Sequence, residues 1–228
     1  MLLTGWSAWE TNFMEEKNMK FEYVPKSEFL PVKNKLVELI HRVQDEVRDD
    51  FTFRFDFIGS ASRNMITRQV NGNIGYDFDV DIRVNDPEEN YTAKEIKTIL
   101  RKAFDKHCKS YGYDYGEDSS RVITIKVKDT KNAKIIHSCD LAIVHDCDDG
   151  RQQYIRFNKK ANTYTWEHLP KRFSQLSERI AAIKENNLWQ EVRDLYLEKK
   201  CNNTDKNKKS RSIFAETINE VYQDNFNE

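Results

Sequence analysis

The fold is decided by two short stretches, Phe57-Ile58-Gly59-Ser60 and Asp77-Phe78-Asp79-Val80, which are separated by 16 residues. In and around both stretches apolar and polar side chains alternate, which is the period of a β-strand with one buried face. The alternating apolar residues are Phe51, Phe53, Phe55 and Phe57 in the first strand, and Phe78, Val80, Ile82 and Val84 in the second. Two strands are therefore predicted, the second over 76–84, with its aspartates on the polar face.

Asp77 and Asp79 are predicted to bind divalent cations. Residues i and i+2 of a strand lie on one face about 6–7 Å apart, because the rise is about 3.3 Å per residue. Two like charges at that spacing repel, and their burial costs free energy unless cations neutralise them. Mg²⁺ prefers oxygen ligands and is commonly bound by one or two carboxylates together with substrate phosphates.

Gly59 and Ser60 are predicted to bind phosphate. A glycine directly after a strand, before a short helix predicted over 61–68, lets a phosphate approach the backbone closely. The serine hydroxyl and nearby backbone N–H groups would then hold the β- and γ-phosphates. A phosphate site beside a carboxylate pair that binds two metal ions is suited to in-line attack on an α-phosphate.

A third carboxylate is expected on a neighbouring strand, and Asp140 is the candidate. A polar turn separates the segments 121–128 and 134–144, which are predicted to form a hairpin. Asp140 lies in the middle of the apolar part of the second segment. A charged residue there needs a reason, which metal binding or base action on an attacking hydroxyl would supply. If Asp140 is only structural, Asp146 is the alternative.

The remaining pattern is mostly helical, and the predicted class is α+β. Apolar spacing predicts a helix over about 31–47, and a capping box at Thr92 and Glu95 begins another that runs to about His107. Beyond Pro170 the pattern is helical again. The prediction is a small mixed β-sheet with flanking helices and a C-terminal helical region. The predicted domains are an N-terminal arm (1–30), a catalytic domain (31–160) and the helical region (161–228).

Gly-Ser, a spacer, Asp-x-Asp between hydrophobic residues and a later strand Asp together resemble the DNA polymerase β-type nucleotidyltransferase superfamily. The resemblance covers about 51–144. It implies the nucleotidyltransferase fold and two Mg²⁺ (or Mn²⁺) ions held by three acidic residues. It also implies transfer of a nucleoside monophosphate from a nucleoside triphosphate, such as ATP, to an acceptor hydroxyl with release of pyrophosphate. Matched by position, Gly59 and Ser60 are the phosphate-binding pair, Asp77 and Asp79 the metal-binding pair, and Asp140 the third acid.

Two features depart from the pattern or leave it ambiguous. The spacer of 16 residues is a few residues longer than usual, and the extra length falls in the loop 69–75, where an insertion costs little. Asp79 and Asp81 also form an Asp-x-Asp. We prefer Asp77 as the partner of Asp79, because this choice keeps the spacer closer to the pattern and because Asp81 would lie deeper along the strand.

Composition limits the location and the partners. Lys plus Arg number 37 and Asp plus Glu 38, for a formal net charge of -1. A protein that binds long nucleic acids commonly has a basic surface, so a long nucleic acid is not expected as the partner. No secretory signal is recognisable, and no window has the roughly 18 apolar residues of a membrane span. We therefore expect a cytoplasmic protein with no membrane partner.

Other interpretations stay open. The acceptor is a small molecule, a second nucleotide, a protein side chain or an RNA end. His and Cys residues within 137–147 suggest zinc, but their spacing along one strand argues against it. Arg63, Arg68 and Lys126 are suited to contact a triphosphate, although a solvated surface is favoured for each. The rival outside enzymes is a catalytically inactive nucleotidyltransferase fold that serves as a binding module.

Overall fold

The computed structural model describes residues 20–86, 88–169 and 174–226; most of the predicted N-terminal arm, residues 1–19, lies outside them. The strands are β1 (Phe21–Tyr23), β2 (Thr52–Ile58), β3 (Thr67–Gln69), β4 (Ile74–Asn85), β5 (Glu117–Asp118), β6 (Val122–Asp129), β7 (Lys134–Asp146), β8 (Gln152–Asn158) and β9 (Thr163–His168). The helices are α1 (Lys26–Val47), α2 (Gly59–Ser62), α3 (Ala93–Cys108), α4 (Ser174–Glu185), α5 (Trp189–Asn202) and α6 (Ser210–Phe226). The α+β class is confirmed.

The main sheet is mixed, as predicted. Its strand order is β2-β4-β7-β6-β5, and β8 pairs with the end of β7 and with β9. Among the described strands, β4 and β7 are parallel, and every other ladder of this sheet is antiparallel. β1 and β3 form a separate two-stranded sheet. The predicted hairpin of β6 and β7 and the predicted pair of strands around the two motifs are both present.

One face of β4 is wholly apolar and sets the position of the strand. Phe78, Val80 and Ile82 are 0% exposed and share one core with the apolar sides of α1 and α3. Burying each such side chain contributes about 1.5–3 kcal/mol. The helix α3 begins at the predicted capping box, in which Thr92 and Glu95 bond reciprocally. Because the helices pack with the apolar face, the alternate residues of β4 occupy the opposite face of the sheet.

Two parts of the fold differ from the prediction. The helix α1 begins at Lys26 and not near Pro31. Pro31 therefore lies in the second turn, where its ring removes the bond that an N–H would donate to the carbonyl of Ser27. The hairpin of β8 and β9 was not predicted, because the consecutive buried residues Tyr154 and Ile155 interrupt the alternation that marks a strand.

The C-terminal helices form a second core of their own. Its buried residues are Met65, Ile183, Val192, Tyr196, Ile213, Phe214, Ile218 and Val221. Met65 comes from the segment after α2, whereas its neighbours Ala61 and Ile66 belong to the core of the sheet. The segment that follows Gly59 is therefore packed into both cores. None of the described helices is both long enough and apolar enough to cross a membrane.

The close approach of β4 and β7 requires glycine at position 75. A Cβ atom added to Gly75 would lie 1.8 Å from the carbonyl oxygen of Ile136. We expect Gly75→Ala to lower the free energy of unfolding by about 3 kcal/mol, because one of the strands must move. The control is Gly112→Ala, where the added Cβ meets nothing within 4 Å and only the positive φ of 83° is unfavourable, at about 1–2 kcal/mol. Equal losses for the two variants in urea denaturation would contradict this expectation.

Candidate active site

The parallel ladder brings three predicted acids onto one face of the sheet. Asp79 on β4 is directly opposite Asp140 on β7, and Asp77 is opposite Ser138. Neighbouring strands are about 4.8 Å apart, and residues in register project to the same side. We call Asp77, Asp79 and Asp140 the acidic face. The structure therefore places together the three carboxylates that the sequence predicted, although they are up to 63 residues apart along the chain.

Gly59 places the predicted phosphate-binding turn against this acidic face. Ile58 pairs with Asp79 in the antiparallel ladder of β2 and β4, and the chain turns directly afterwards. Gly59 has a φ of 62°, and an added Cβ would lie 2.4 Å from Oδ2 of Asp79. A side chain at this position would thus meet both backbone strain and a clash. Ser60 follows in the single turn of α2, which is shorter than the predicted helix over 61–68 because β3 begins at Thr67.

Two hydroxyl groups that the sequence analysis missed hold acids of this face. Ser138 donates a hydrogen bond to Oδ1 of Asp77. Thr124 on β6 donates to Oδ1 of Asp140 over 2.6 Å. Both donors lie on the strand next to that of their acceptor, in register with it. Their role becomes visible only once the ladders are known, since Ser and Thr are ordinary residues in half-buried strands.

The acidic face is short of positive charge. Burial, followed by the charges of Asp140 and Asp77, raises the pKa of Asp79 from 3.8 to about 6. Burial also raises the pKa of Asp140, against the lowering effect of the hydrogen bond from Thr124. A divalent cation would relieve this excess of negative charge, and carboxylates are the ligands that Mg²⁺ and Mn²⁺ prefer. The donor set fits the implied ions in its chemistry. As the described side chains stand, however, no three His, Cys, Asp or Glu residues converge closely enough to hold a metal.

Two partly buried cations approach the acidic face from the side of the C-terminal helices. The guanidinium of Arg63 lies 4.0 Å from the ring centre of Phe214, and its Nε is buried without a hydrogen-bond partner. Lys200 on α5 donates to Oγ1 of Thr67 over 2.5 Å. Burial lowers the pKa of both groups, while nearby acids oppose the shift, Asp79 at Arg63 and Asp77 at Lys200. Arg63 is therefore partly buried, whereas the sequence favoured a solvated position for it. No sequence pattern marked Lys200.

The other residues considered from sequence lie in ion pairs. Arg68 pairs with Glu22 and Glu28, and Lys126 pairs with Glu117 at 2.5 Å. Lys126 also affects the site, because its charge lowers the pKa of Asp140.

Asp81 is 4% exposed, and Nη2 of Arg83 lies 3.8 Å from its Oδ2. Opposite it on β7 is Ala142, not an acid. Arg83 also pairs with Asp56 at 2.6 Å and with Asp146 at 2.8 Å. Asp81 and Asp146 thus belong to an ion-pair group around Arg83, farther along the sheet than the acidic face.

Solved structures similar to this chain share its fold. The GTP-bound form of Vibrio cholerae DncV is 17% identical with a TM-score of 0.54, and the match covers 87% of this chain and 52% of that one. Vibrio cholerae DncV cyclic AMP-GMP synthase with nonhydrolyzable GTP is 16% identical with a TM-score of 0.54, and the match covers 87% of this chain and 53% of that one. Escherichia coli DncV with 3'-deoxy GTP is 16% identical with a TM-score of 0.52, and the match covers 87% of this chain and 54% of that one. No protein-family model matches the chain, and no curated protein does.

These likenesses define the class of fold. The chain has the nucleotidyltransferase fold of these solved structures, which is the fold that the sequence resemblance implied. At 16–17% identity the likeness concerns the fold alone. The chain spans about half the length of the solved structures that it resembles.

The raised pKa of Asp79 predicts how stability depends on pH without metal. The pKa is about 6 in the folded protein against an ordinary 3.8. The contribution of Asp79 to the free energy of unfolding is therefore fully present below about pH 3.8, and it is lost as the pH rises through 6. In the presence of a chelator, Asp79→Asn should gain stability relative to the unsubstituted protein between pH 4 and 7. Urea denaturation across that range is the measurement, and two curves that stay parallel would contradict the assignment.

Proposed function

We propose that the protein is a metal-dependent nucleotidyltransferase, which moves a nucleoside monophosphate from a nucleoside triphosphate to an acceptor hydroxyl and releases pyrophosphate. The observation that carries the proposal is the contact between the turn at Gly59 and the carboxylate of Asp79, in register with Asp140. A backbone turn suited to phosphate and a set of carboxylates suited to metal ions meet at one place. They do so on a fold that nucleotidyltransferases use.

Each residue has a distinct role in the proposed reaction. Asp77, Asp79 and Asp140 would hold two Mg²⁺ or Mn²⁺ ions, which neutralise the triphosphate and make the α-phosphate more electrophilic. Gly59 and Ser60 would bind the β- and γ-phosphates through the backbone and the hydroxyl. Asp140 would accept the proton of the acceptor hydroxyl, and its raised pKa makes it a better base than an ordinary aspartate.

The environment of Asp81 supports Asp77 as the partner of Asp79. Asp77 is exposed and lies across from Ser138, whereas Asp81 is buried beside Arg83. An arginine next to a carboxylate competes with a metal ion for the same negative charge. The two remaining acids of the polar face therefore form the better cation site.

The solved neighbours support a nucleoside triphosphate as the donor. One is a cyclic AMP-GMP synthase, and others are solved with GTP or 3'-deoxy GTP. A second nucleotide is therefore the first acceptor to test, ahead of a small molecule, a protein side chain or an RNA end.

The cytoplasmic location stays a prediction.

The proposal is tested by combining catalysis with binding. Incubation with each labelled nucleoside triphosphate and Mg²⁺ or Mn²⁺ should give pyrophosphate and a nucleotidylated product by mass spectrometry. The same mixture of metal and triphosphate should raise the melting temperature, because a ligand that binds only the native state stabilises it. The double variant Asp77→Asn with Asp79→Asn should lose both effects.

The matched control for this double variant is Asp148→Asn with Asp149→Asn, which removes the same charge from an exposed turn. Its activity and its metal-dependent stabilisation should be unchanged. Stabilisation by metal and triphosphate without product from any acceptor would favour the inactive binding module. An unchanged stabilisation in the Asp77 and Asp79 variant would refute the metal site.

Substitution of Asp140 separates catalysis from binding. If Asp140 acts mainly in the transition state, the other acids and the turn at Gly59 still bind the nucleotide in its absence. Asp140→Asn should therefore keep nucleotide affinity within about tenfold, or about 1.4 kcal/mol. The single-turnover rate should fall by about 10²–10⁴. Equal losses in equilibrium binding and in rate would make Asp140 a binding residue instead.

A further inference from the structure

Ser138 and Thr124 occupy equivalent places beside two of the three acids. We propose that they are positioning residues, whose hydroxyl groups orient Asp77 and Asp140 to bind a divalent ion. The inference rests on the proposed function, since it assigns a role toward the metal site. It adds residues that no motif in the sequence marks, and it separates the orientation of the carboxylates from their charge.

The geometry at Ser138 leaves its hydroxyl little other use. Ser138 is 8% exposed and lies on β7 between the buried residues His137 and Cys139. Its Oγ donates to Oδ1 of Asp77, the residue directly opposite in the parallel ladder. The backbone ladder already joins the two strands, so the side-chain bond is not needed to pair them. Its specific effect is to restrict the rotation of the Asp77 carboxylate.

Thr124 repeats the arrangement one strand farther along. It lies opposite Asp140 in the antiparallel ladder of β6 and β7, and its Oγ1 is 2.6 Å from Oδ1 of Asp140. A β-branched side chain is restricted at χ1, so the direction of its hydroxyl is well defined.

The two bonds share one direction across the sheet. In the order β4-β7-β6, each acid accepts from the next strand on the same side, Asp77 from Ser138 and Asp140 from Thr124. A carboxylate has about four lone-pair sites, and one hydroxyl uses one of them. The rest stay available for a metal ion. Carboxylates that bind metals are commonly held by such outer hydrogen bonds, and losing one typically costs 10–100-fold in affinity or activity.

The test measures Mn²⁺ binding by the full chain without nucleotide, by electron paramagnetic resonance. Thr124→Val and Ser138→Ala should weaken Mn²⁺ binding by about 10-fold or more. Thr124→Ser and Ser138→Thr keep a hydroxyl and should stay within about threefold of the unsubstituted protein. The control is Thr52→Val, which removes a hydroxyl that accepts a cross-strand bond from Asn85, away from the acidic face. It should leave Mn²⁺ affinity unchanged.

Turnover gives a second readout that a merely structural role would not produce. The loss of rate in Thr124→Val should be recovered by raising the Mn²⁺ concentration, because the carboxylate is still present and only its orientation has been loosened. A loss that persists at saturating Mn²⁺ would overturn the positioning role of Thr124. If Ser138→Ala fails to fold, the pair Thr124→Val and Thr124→Ser decides the question alone.

The remaining outcomes distinguish this inference from the proposed function. If the unsubstituted protein binds Mn²⁺ and Thr124→Val and Ser138→Ala bind it with the same affinity, the positioning role is overturned and the proposed function stays intact. An equal loss in Thr124→Val and Thr124→Ser, or in Thr52→Val, would also overturn it, since the hydroxyl would not be the cause. Failure of the unsubstituted protein to bind Mn²⁺ would refute the metal site and the inference with it.

Discussion

The parallel register of β4 and β7 is the interaction on which the rest of the structure depends. A slip of one residue in a strand exchanges its two faces. Such a slip in β4 would turn Phe78 and Val80 away from the helices and force Asp77 and Asp79 into the core. The burial of the apolar side chains therefore determines where the carboxylates stand. Core packing and chemistry are set by the same hydrogen-bond ladder, on its two opposite faces.

The proposed role of the acidic face in binding metal ions makes it a compromise between stability and binding. Burial, together with the charge of neighbouring carboxylates, raises the pKa values of Asp79 and Asp140, which weakens the folded state without a cation. Uncharged hydroxyl groups of Ser138 and Thr124 limit this cost by donating hydrogen bonds to the carboxylates. The cations Arg63 and Lys200 lie at the edge of the acidic face, where they contact Phe214 and Thr67. A closer arginine would stabilise the acids more, as Arg83 does beside Asp81, but it would compete with an incoming ion.

Local patterns predicted much of the fold, and contacts across the sheet account for what was missed. The alternation around Gly59 and Asp79 and the capping box at Thr92 depend on neighbours in sequence, so β2, β4 and α3 were found. The five predicted site residues came from a motif, and their roles stay predictions. The donors Ser138 and Thr124 and the cation Lys200 could not be found, because each acts through a partner that only the tertiary structure brings near.

The packing of the segment after Gly59 into two cores has a consequence for how the site opens. Proteins unfold locally in cooperative units, and the least stable unit opens first. The C-terminal helices hold Met65 and stack Phe214 on Arg63, while Ala61 and Ile66 stay with the sheet. Transient opening of those helices would therefore release one end of the predicted phosphate-binding turn while β4 and β7 remained paired. By the same linkage, a ligand bound at the acids would slow amide hydrogen exchange in the C-terminal helices.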